Sequence, residues 1–395
     1  PMLRGVALTC YADDTLVTAR GKDFRDASIR ATAGVAHVVH RIRRLGLSVA
    51  LEKSEAICFH GPRKRPPTGS RIIVSGVGID VGTAMRYLGV TLDPRLSFEE
   101  HFRRLGPRLL RAAGALSGLL KNVGGPSLSC RRLYETVIRS MALYGAPIWV
   151  DTLRNKRNMA LLRAPQRVMA IRVAMGYRTI SFVAATALAG TLPWDMEARV
   201  LATTYHQVAE ARNRGEPPTI DIIRGWRAQG RSQGIESWRE MLREPPAGRR
   251  VAEAIEPVLD LWVERGHGTL SYHLTQILTN HGCFGGYLHD KTGREPTREC
   301  HHCGHVEDDA QHTLEACPAF HDERAILIAE VGNDLSLPTL VGRIVASGGS
   351  WEAVAKYADR VMKVKEEAER QRERAADAST KGVETSSLWR QGSAL

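Results

Sequence analysis

Two adjacent carboxylates, Asp13 and Asp14, stand between the apolar runs Leu8-Thr9-Cys10-Tyr11 and Thr15-Leu16-Val17-Thr18. Both runs are rich in β-formers and read as strands, with Ala12-Asp13-Asp14 as the tight turn joining them. Turn chemistry explains one Asp, whose side chain bonds nearby backbone amides, better than two. Neighbouring carboxylates repel, and a shared divalent cation offsets that repulsion. The start of the chain is therefore read as a stiff hairpin that presents acids at its tip.

The segments that follow keep a mixed α+β character. Ala27 to Leu45 reads as a helix with Ile29, Val35, Val38, Val39 and Ile42 as its apolar stripe, ended by Gly46. Lys53 lies in Gly46-Leu47-Ser48-Val49-Ala50-Leu51-Glu52-Lys53-Ser54-Glu55. Short strands at Ile72 to Val74 and Val77 to Ile79 follow a basic loop from Gly61 to Ser70 that carries Arg63, Lys64, Arg65, Pro66 and Pro67. Tyr87-Leu88-Gly89-Val90-Thr91-Leu92-Asp93 then reads as another hairpin.

Tyr11-Ala12-Asp13-Asp14 resembles the palm signature of reverse transcriptases. The Lys53 segment resembles the palm segment that follows it, and Tyr87 to Asp93 resembles the primer-grip hairpin of non-LTR retrotransposon enzymes. Their order and spacing make the likeness more specific than any one of them. The resemblance implies a partial palm over residues 1–95, built of antiparallel hairpins plus a helix. It implies that Asp13 and Asp14 bind catalytic Mg²⁺, with Mn²⁺ as a substitute, in a two-metal site whose ions lie roughly 3.5–4 Å apart. It also implies that Tyr11 lies near the incoming nucleotide and that Lys53 protonates the departing pyrophosphate. RNA template and DNA primer or target are the implied partners. The family carries its fingers and a further metal-binding Asp in an earlier motif. The expectation is thus a C-terminal fragment of a polyprotein, inactive alone and partnered by its upstream part.

From Ser97 the period becomes helical: Phe98, Phe102, Leu105, Leu109, Ala112, Leu116 and Leu119 form a stripe. Arg103, Arg104, Arg108 and Arg111 fall off it, and Pro107 is expected to bend or break the helix near its start. In the resembling family this is the thumb, which implies that these arginines grip template–primer phosphates. A second helix, Arg131 to Tyr144, is expected to turn Leu133, Val137, Met141 and Tyr144 inward, with Trp149 plugging the core after it. A third, Pro165 to Met175, has Arg163, Arg167, Arg172 and Arg178 as a basic edge. Ser181 caps a helix from Phe182 to Leu188 that Gly190 closes, and Pro193-Trp194 opens a longer one. Residues 96–190 thus read as a helical thumb and 191–280 as a helical connector. Within the connector, Arg212 to Arg250 reads as loosely packed, followed by helices at Val251 to Trp262 and Ser271 to Leu278.

Cys300-x₂-Cys303-x₈-His312-x₄-Cys317 has the donor types and spacing of a tetrahedral zinc site. His301, His302, His305 and His321 compete with His312 for the fourth place. The pattern resembles the C-terminal Cys-Cys-His-Cys knuckle of several non-LTR retrotransposon clades, preceded there by a segment like His281-Gly282-Cys283-Phe284-Gly285. That likeness implies Cys300, Cys303, His312 and Cys317 as Zn²⁺ ligands, Cys283 outside the set, and a role in binding element RNA or target DNA. The zinc-knuckle region spans 281–345. Residues 346–395 read as a helix with Trp351, Val354, Tyr357, Val361 and Val364 inward, a solvated charged stretch from Lys363 to Arg374, and a disordered tail from Thr380.

A net charge of +12 and a pI near 9.6 point to an anionic partner, most simply nucleic acid. No apolar run reaches eighteen residues, so no transmembrane helix is expected. Seven cysteines, three of them clustered, suit a reduced compartment and one metal site rather than disulfides, which gives an intracellular, nuclear and cytoplasmic expectation. The functional expectation is an RNA-directed DNA polymerase of a non-LTR retrotransposon, working by target-primed reverse transcription. The alternative is a non-catalytic nucleic-acid-binding zinc-knuckle protein derived from a decayed element.

Overall fold

Val6–Tyr11 (β1) and Asp14–Ala19 (β2) pair antiparallel with Tyr11 opposite Asp14, so the connecting turn is Ala12-Asp13 and Asp14 already belongs to a strand. These relations come from a computed structural model that describes the backbone of residues 4–391 and the side chains of residues 4–375. Phe24–Arg44 (α1) is capped by Asp23, whose carboxylate accepts the Asp26 amide, and lies against the hairpin. The contact is tight at Gly34, where a Cβ would lie 2.7 Å from Val6 Cγ1. The buried face of α1 is Gly34, Val38 and Val39, whereas Ile29 is exposed. The expected stripe thus holds at Val38 and Val39, with Val35 and Ile42 half-buried, fails at Ile29, and gains Gly34, because close approach to β1 favours the smallest residue at the contact.

Ala56–Ile57 (β3), Arg71–Val74 (β4) and Val77–Gly82 (β5) form a sheet with β5 central, parallel to β3 and antiparallel to β4. Met85–Tyr87 (β6) and Val90–Leu92 (β7) make the next hairpin. Its turn residues Leu88 and Gly89 both have positive φ, +45° and +83°, matching the twist of the strands. The Asp93 carboxylate then accepts the amides of Arg95, Ser97 and Phe98 at 3.1, 3.1 and 2.6 Å, which sets the entry to Glu99–Leu119 (α2). Phe98, Phe102, Leu105 and Leu109 are buried as expected, and Phe102 meets Trp149 edge-on at 5.2 Å. Ala113 is buried in place of Ala112, and Leu120, just past the helix, in place of Leu119. Pro107 does not break α2: it lies on the exposed face, and buried Leu105 and Leu109 hold the axis on either side.

The fold is mixed α+β. The chain divides into two compact units, residues 1–108 with 145–162, and residues 109–144 with 163–395. Among the described residues, the first holds the seven strands, α1 and Ala146–Trp149 (α4). The second holds Leu128–Ala142 (α3) and the helices from 182 onward, while α2 and Lys156–Val173 (α5) begin in one unit and end in the other.

In α3 the buried residues are Arg131, Glu135, Ile138 and Ala142, whereas Leu133, Val137 and Tyr144 are exposed. Arg131 donates to the carbonyls of Pro126, Arg172, Leu120 and Lys121, and Glu135 accepts Trp194 Nε1–H at 3.0 Å. Satisfied hydrogen bonds make this polar face the inner one, which an apolar-stripe reading cannot detect. Helix α5 runs through Pro165. Its expected basic edge is partly internal. Arg163 grips buried Asp195 in a bidentate pair at 3.0 and 2.8 Å, and Arg167 donates to the carbonyls of Ile180 and Arg178.

Phe182–Ala189 (α6) starts with the Ser181 hydroxyl accepting the Ala184 amide and ends at left-handed Gly190. Trp194–Asn213 (α7) packs along Ile220–Arg243 (α8). The stretch expected to be loosely packed is thus mostly α8, whose Ile235, Trp238 and Leu242 are buried. Pro257 splits the helix expected over Val251 to Trp262 into Arg249–Ile255 (α9) and Leu259–Glu264 (α10). Tyr272–Thr279 (α11), Gly285–Tyr287 (α12), Ala310–Glu315 (α13), His321–Val331 (α14), Leu337–Ala346 (α15) and Gly348–Gln391 (α16) complete the order. On α16, Trp351, Val354, Tyr357 and Val361 are buried, but Val364 is exposed and Lys365, expected to be solvated, is buried. Where disorder was expected from Thr380, the backbone continues as helix to Gln391, and residues 392–395 lie outside the described set.

Trp238→Ala is expected to cost roughly 3–5 kcal/mol of stability. Trp238→Phe should cost far less, because the indole N–H has no hydrogen-bond partner among the described residues. Thermal melts that left the alanine variant unchanged would show that α8 is not packed.

Candidate metal centre and candidate active site

The zinc-type donors converge. Atoms of Cys300, Cys303, His312 and Cys317 all lie within 4.8 Å of one another. Around one Zn²⁺ with bonds of about 2.0–2.3 Å, tetrahedral ligands sit about 3.5–3.8 Å apart. Cys300 Sγ to Cys317 Sγ is 3.9 Å and Cys303 Sγ to His312 Nε2 is 3.3 Å, so the donor set fits the ion.

Local backbone structure aims these ligands. The amides of Cys303 and Gly304 both donate to the Cys300 carbonyl, folding the Cys-x₂-Cys segment into a turn. Asp309 caps α13 by accepting the His312 amide at 2.7 Å, and the Cys317 amide donates to the His312 carbonyl at 2.8 Å. Arg324 donates to the carbonyls of Thr313, Leu314 and Cys317, fixing the far side. Of the five histidines in contention, only His312 joins the cluster. His301 pairs with Glu295, the His302 ring packs on Phe320, His321 pairs with Asp322, and His305 stacks on His312 with centroids 4.4 Å apart. Cys283 is a buried thiol outside the set, bonded to Glu369 at 2.7 Å.

Two residues that the sequence reading passed over hold this loop in place. The Asp308 carboxylate accepts Lys365 Nζ at 2.8 and 2.9 Å and the Gly285 amide at 2.9 Å, with both charged side chains almost wholly buried. Lys365 sits over the rings of Phe284 and Phe320, 5.3 and 5.8 Å from their centroids. The only sequence signal was that Lys365 neighbours the apolar stripe of α16.

Burial pushes the Cys300 thiol up to about 12 and raises Cys317 as well. These two thiols are therefore protonated at neutral pH, and a metal must displace their protons. Zinc affinity should rise with increasing pH and fall as pH drops, with proton release seen by calorimetry in buffers of different ionisation enthalpy. Chelation should lower the melting temperature, and Cys303→Ser should remove that difference. Equal melting of the parent with and without chelator would defeat the zinc assignment. Lys365→Met should cost about 3–5 kcal/mol by leaving Asp308 charged and unpaired, and adding Asp308→Asn should restore much of it.

The hairpin acids are arranged differently. Asp13 lies in the β1–β2 turn, Asp14 opens β2, and both are exposed, as is Tyr11 at 67%. Ala12 beside them has φ +50°, an uncommon backbone for a residue with a side chain. Among the described residues, the cysteine–histidine cluster is the sole group of three or more acidic, His or Cys donors placed to share a metal, so no third ligand joins Asp13 and Asp14. Lys53 ends a 3₁₀ turn, Leu51–Lys53, and is exposed. Arg103 and Arg104 both bond Glu100 at 2.6 Å, holding its carboxyl at about 2. Arg108 and Arg111 are exposed and make no ion pair among the described residues.

No family model matches the chain, and no solved structure matches it. It is 27% identical over 329 residues to the putative 115 kDa protein in type-1 retrotransposable element R1DM of Drosophila melanogaster, covering 80% of this chain and 31% of that protein. It is 26% identical over 409 residues to the retrovirus-related Pol polyprotein from type-1 retrotransposable element R1 4 of Nasonia vitripennis, covering 95% of this chain and 99% of that one. Over 147 residues it is 30% identical to the probable RNA-directed DNA polymerase from transposon X-element of Drosophila melanogaster, covering 36% of this chain and 15% of that protein. The chain thus spans about a third of the first relative and nearly all of the second.

Proposed function

We propose that this chain, a homologue of the Pol polyproteins of R1-type non-LTR retrotransposons, supplies part of an RNA-directed DNA polymerase that copies element RNA by target-primed reverse transcription. The observation that carries the reading is the β1–β2 hairpin, which exposes both Asp13 and Asp14 at its tip within a chain whose relatives include named RNA-directed DNA polymerases. Residues 1–95 act as palm, 96–190 as thumb, 191–280 as connector and 281–345 as zinc knuckle, with work in the cytoplasm and nucleus.

Asp13 and Asp14 hold divalent metal, which when bound activates the primer hydroxyl and steadies the pyrophosphate. Tyr11 lines the nucleotide site and Lys53 donates a proton to the leaving group. Arg108 and Arg111, free of internal ion pairs among the described residues, are better placed to meet phosphate than Arg103 and Arg104, which share Glu100. The zinc region holds RNA or target DNA.

Two carboxylates leave catalytic metal short of protein ligands, so the chain by itself does not extend a primer and works with upstream polyprotein sequence. A primer-extension assay on primed RNA with the purified chain should give no product. Robust synthesis that Asp13→Ala abolishes would refute the dependence on a further partner. A second reading, a nucleic-acid-binding protein without catalysis, is favoured by the fitted zinc site and the +12 charge. It predicts that restoring upstream sequence yields binding and no synthesis.

A further inference from the structure

A cleft of about 620 Å³ opens in the first unit, between the basic loop 60–69, the turn after β7 and the first turns of α2 and α5. The His60 amide donates to the Pro94 carbonyl at 3.2 Å, tying the loop to that turn. Its apolar lining is largely Pro66, Pro67, Pro94 and Val81.

The charges in the cleft do not cancel. Asp93 is consumed by three backbone amides at the start of α2. Glu100 is consumed by Arg103 and Arg104. Glu99 accepts the Asn155 amide group at 2.8 Å and is the remaining carboxylate. Against it stand Arg65, Arg95 and Arg157, each exposed and in no ion pair among the described residues, with Arg63 and Lys64 beside Arg65 in the loop. These three guanidiniums come from three separate segments yet line one concavity. Guanidinium presents a planar fork of donors suited to phosphate oxygens.

We propose that this cleft grips the phosphodiester backbone of a single-stranded nucleic acid through Arg65, Arg95 and Arg157. A strand suits it better than a mononucleotide: it is open, its three free guanidiniums come from separate segments, and its one buried carboxylate, Asp93, is already taken by backbone amides and so cannot read a base. The inference rests on the nucleic-acid reading of the chain and assigns the phosphate contacts to three arginines outside the helical arginine stripe, of which only Arg103 borders the cleft.

The test uses the zinc-loaded full chain and a fluorescent single-stranded RNA, with anisotropy measured over a series of salt concentrations. Replacing all three residues (Arg65→Gln, Arg95→Gln, Arg157→Gln) should weaken binding at least about tenfold at low salt and reduce the slope of log affinity against log salt by about 2. The matched triple Arg199→Gln, Arg212→Gln, Arg227→Gln, at exposed positions of the second unit, removes the same charge and should change the slope far less. The three single variants, each expected to reduce the slope by about 0.7, serve if the cleft triple melts early. Equal effects of the two triples would overturn the cleft and leave the nucleic-acid reading standing. A parent that binds no RNA would overturn both. Displacement of the strand by a mononucleotide at equal nucleotide concentration would overturn the strand assignment.

Discussion

Asp308 carries a charge that is 2% exposed, and the second unit is arranged so that this is tolerable. Removing a carboxylate and an ammonium from water costs several kcal/mol each, recovered only with good geometry and with the remaining lone pairs filled. Lys365 reaches it from α16, the Gly285 amide from the start of α12, and the Asp308 backbone itself bonds Gly286 and the Arg298 carbonyl. One carboxylate thus fixes the relative positions of three segments, and the ligand loop hangs between them. Further ties run from α16 to the same region: Tyr357 donates to the Thr313 carbonyl, and Glu369 and Glu373 meet Arg294.

The same logic recurs away from the metal centre. Arg131 replaces an apolar plug by satisfying four carbonyls that would otherwise be stranded. Glu135, its carboxyl raised by burial, takes the indole N–H of Trp194. Asp195, one residue on, locks Arg163. The second unit is built around tryptophans and alanine-rich helices, with a few buried polar residues setting how those helices meet.

This division explains what could be read from the chain. Hairpins, caps and the four-ligand cluster were legible, because each depends on a few residues close in sequence. The Ser181 cap and the Gly190 helix end act locally, and a Cys-x₂-Cys turn closes on itself. The inner face of α1 was legible at Val38 and Val39 but not at Gly34, which is buried for lack of a side chain, and that of α3 was missed because Arg131 is buried for its distant carbonyl partners. The effect of proline was not legible from the residue alone. Pro257 splits a helix that was expected to be continuous, while Pro107 and Pro165 ride inside helices whose buried neighbours hold the path. The cationic cleft was invisible for a related reason: Arg65, Arg95 and Arg157 are far apart along the chain, and each alone looks like a solvated side chain.

The β1–β2 register has a consequence for how this segment can evolve. Tyr11 faces Asp14 across two residues, and alternate residues of each strand point to opposite sides. Gaining or losing one residue there would invert the orientation of everything beyond it on one strand, including Val17, which leans on α1 near Gly34. Divergence at the acidic tip is thereby confined to exchange of side chains at constant length. Left-handed Ala12 narrows that exchange further, towards glycine, asparagine or aspartate and away from branched residues.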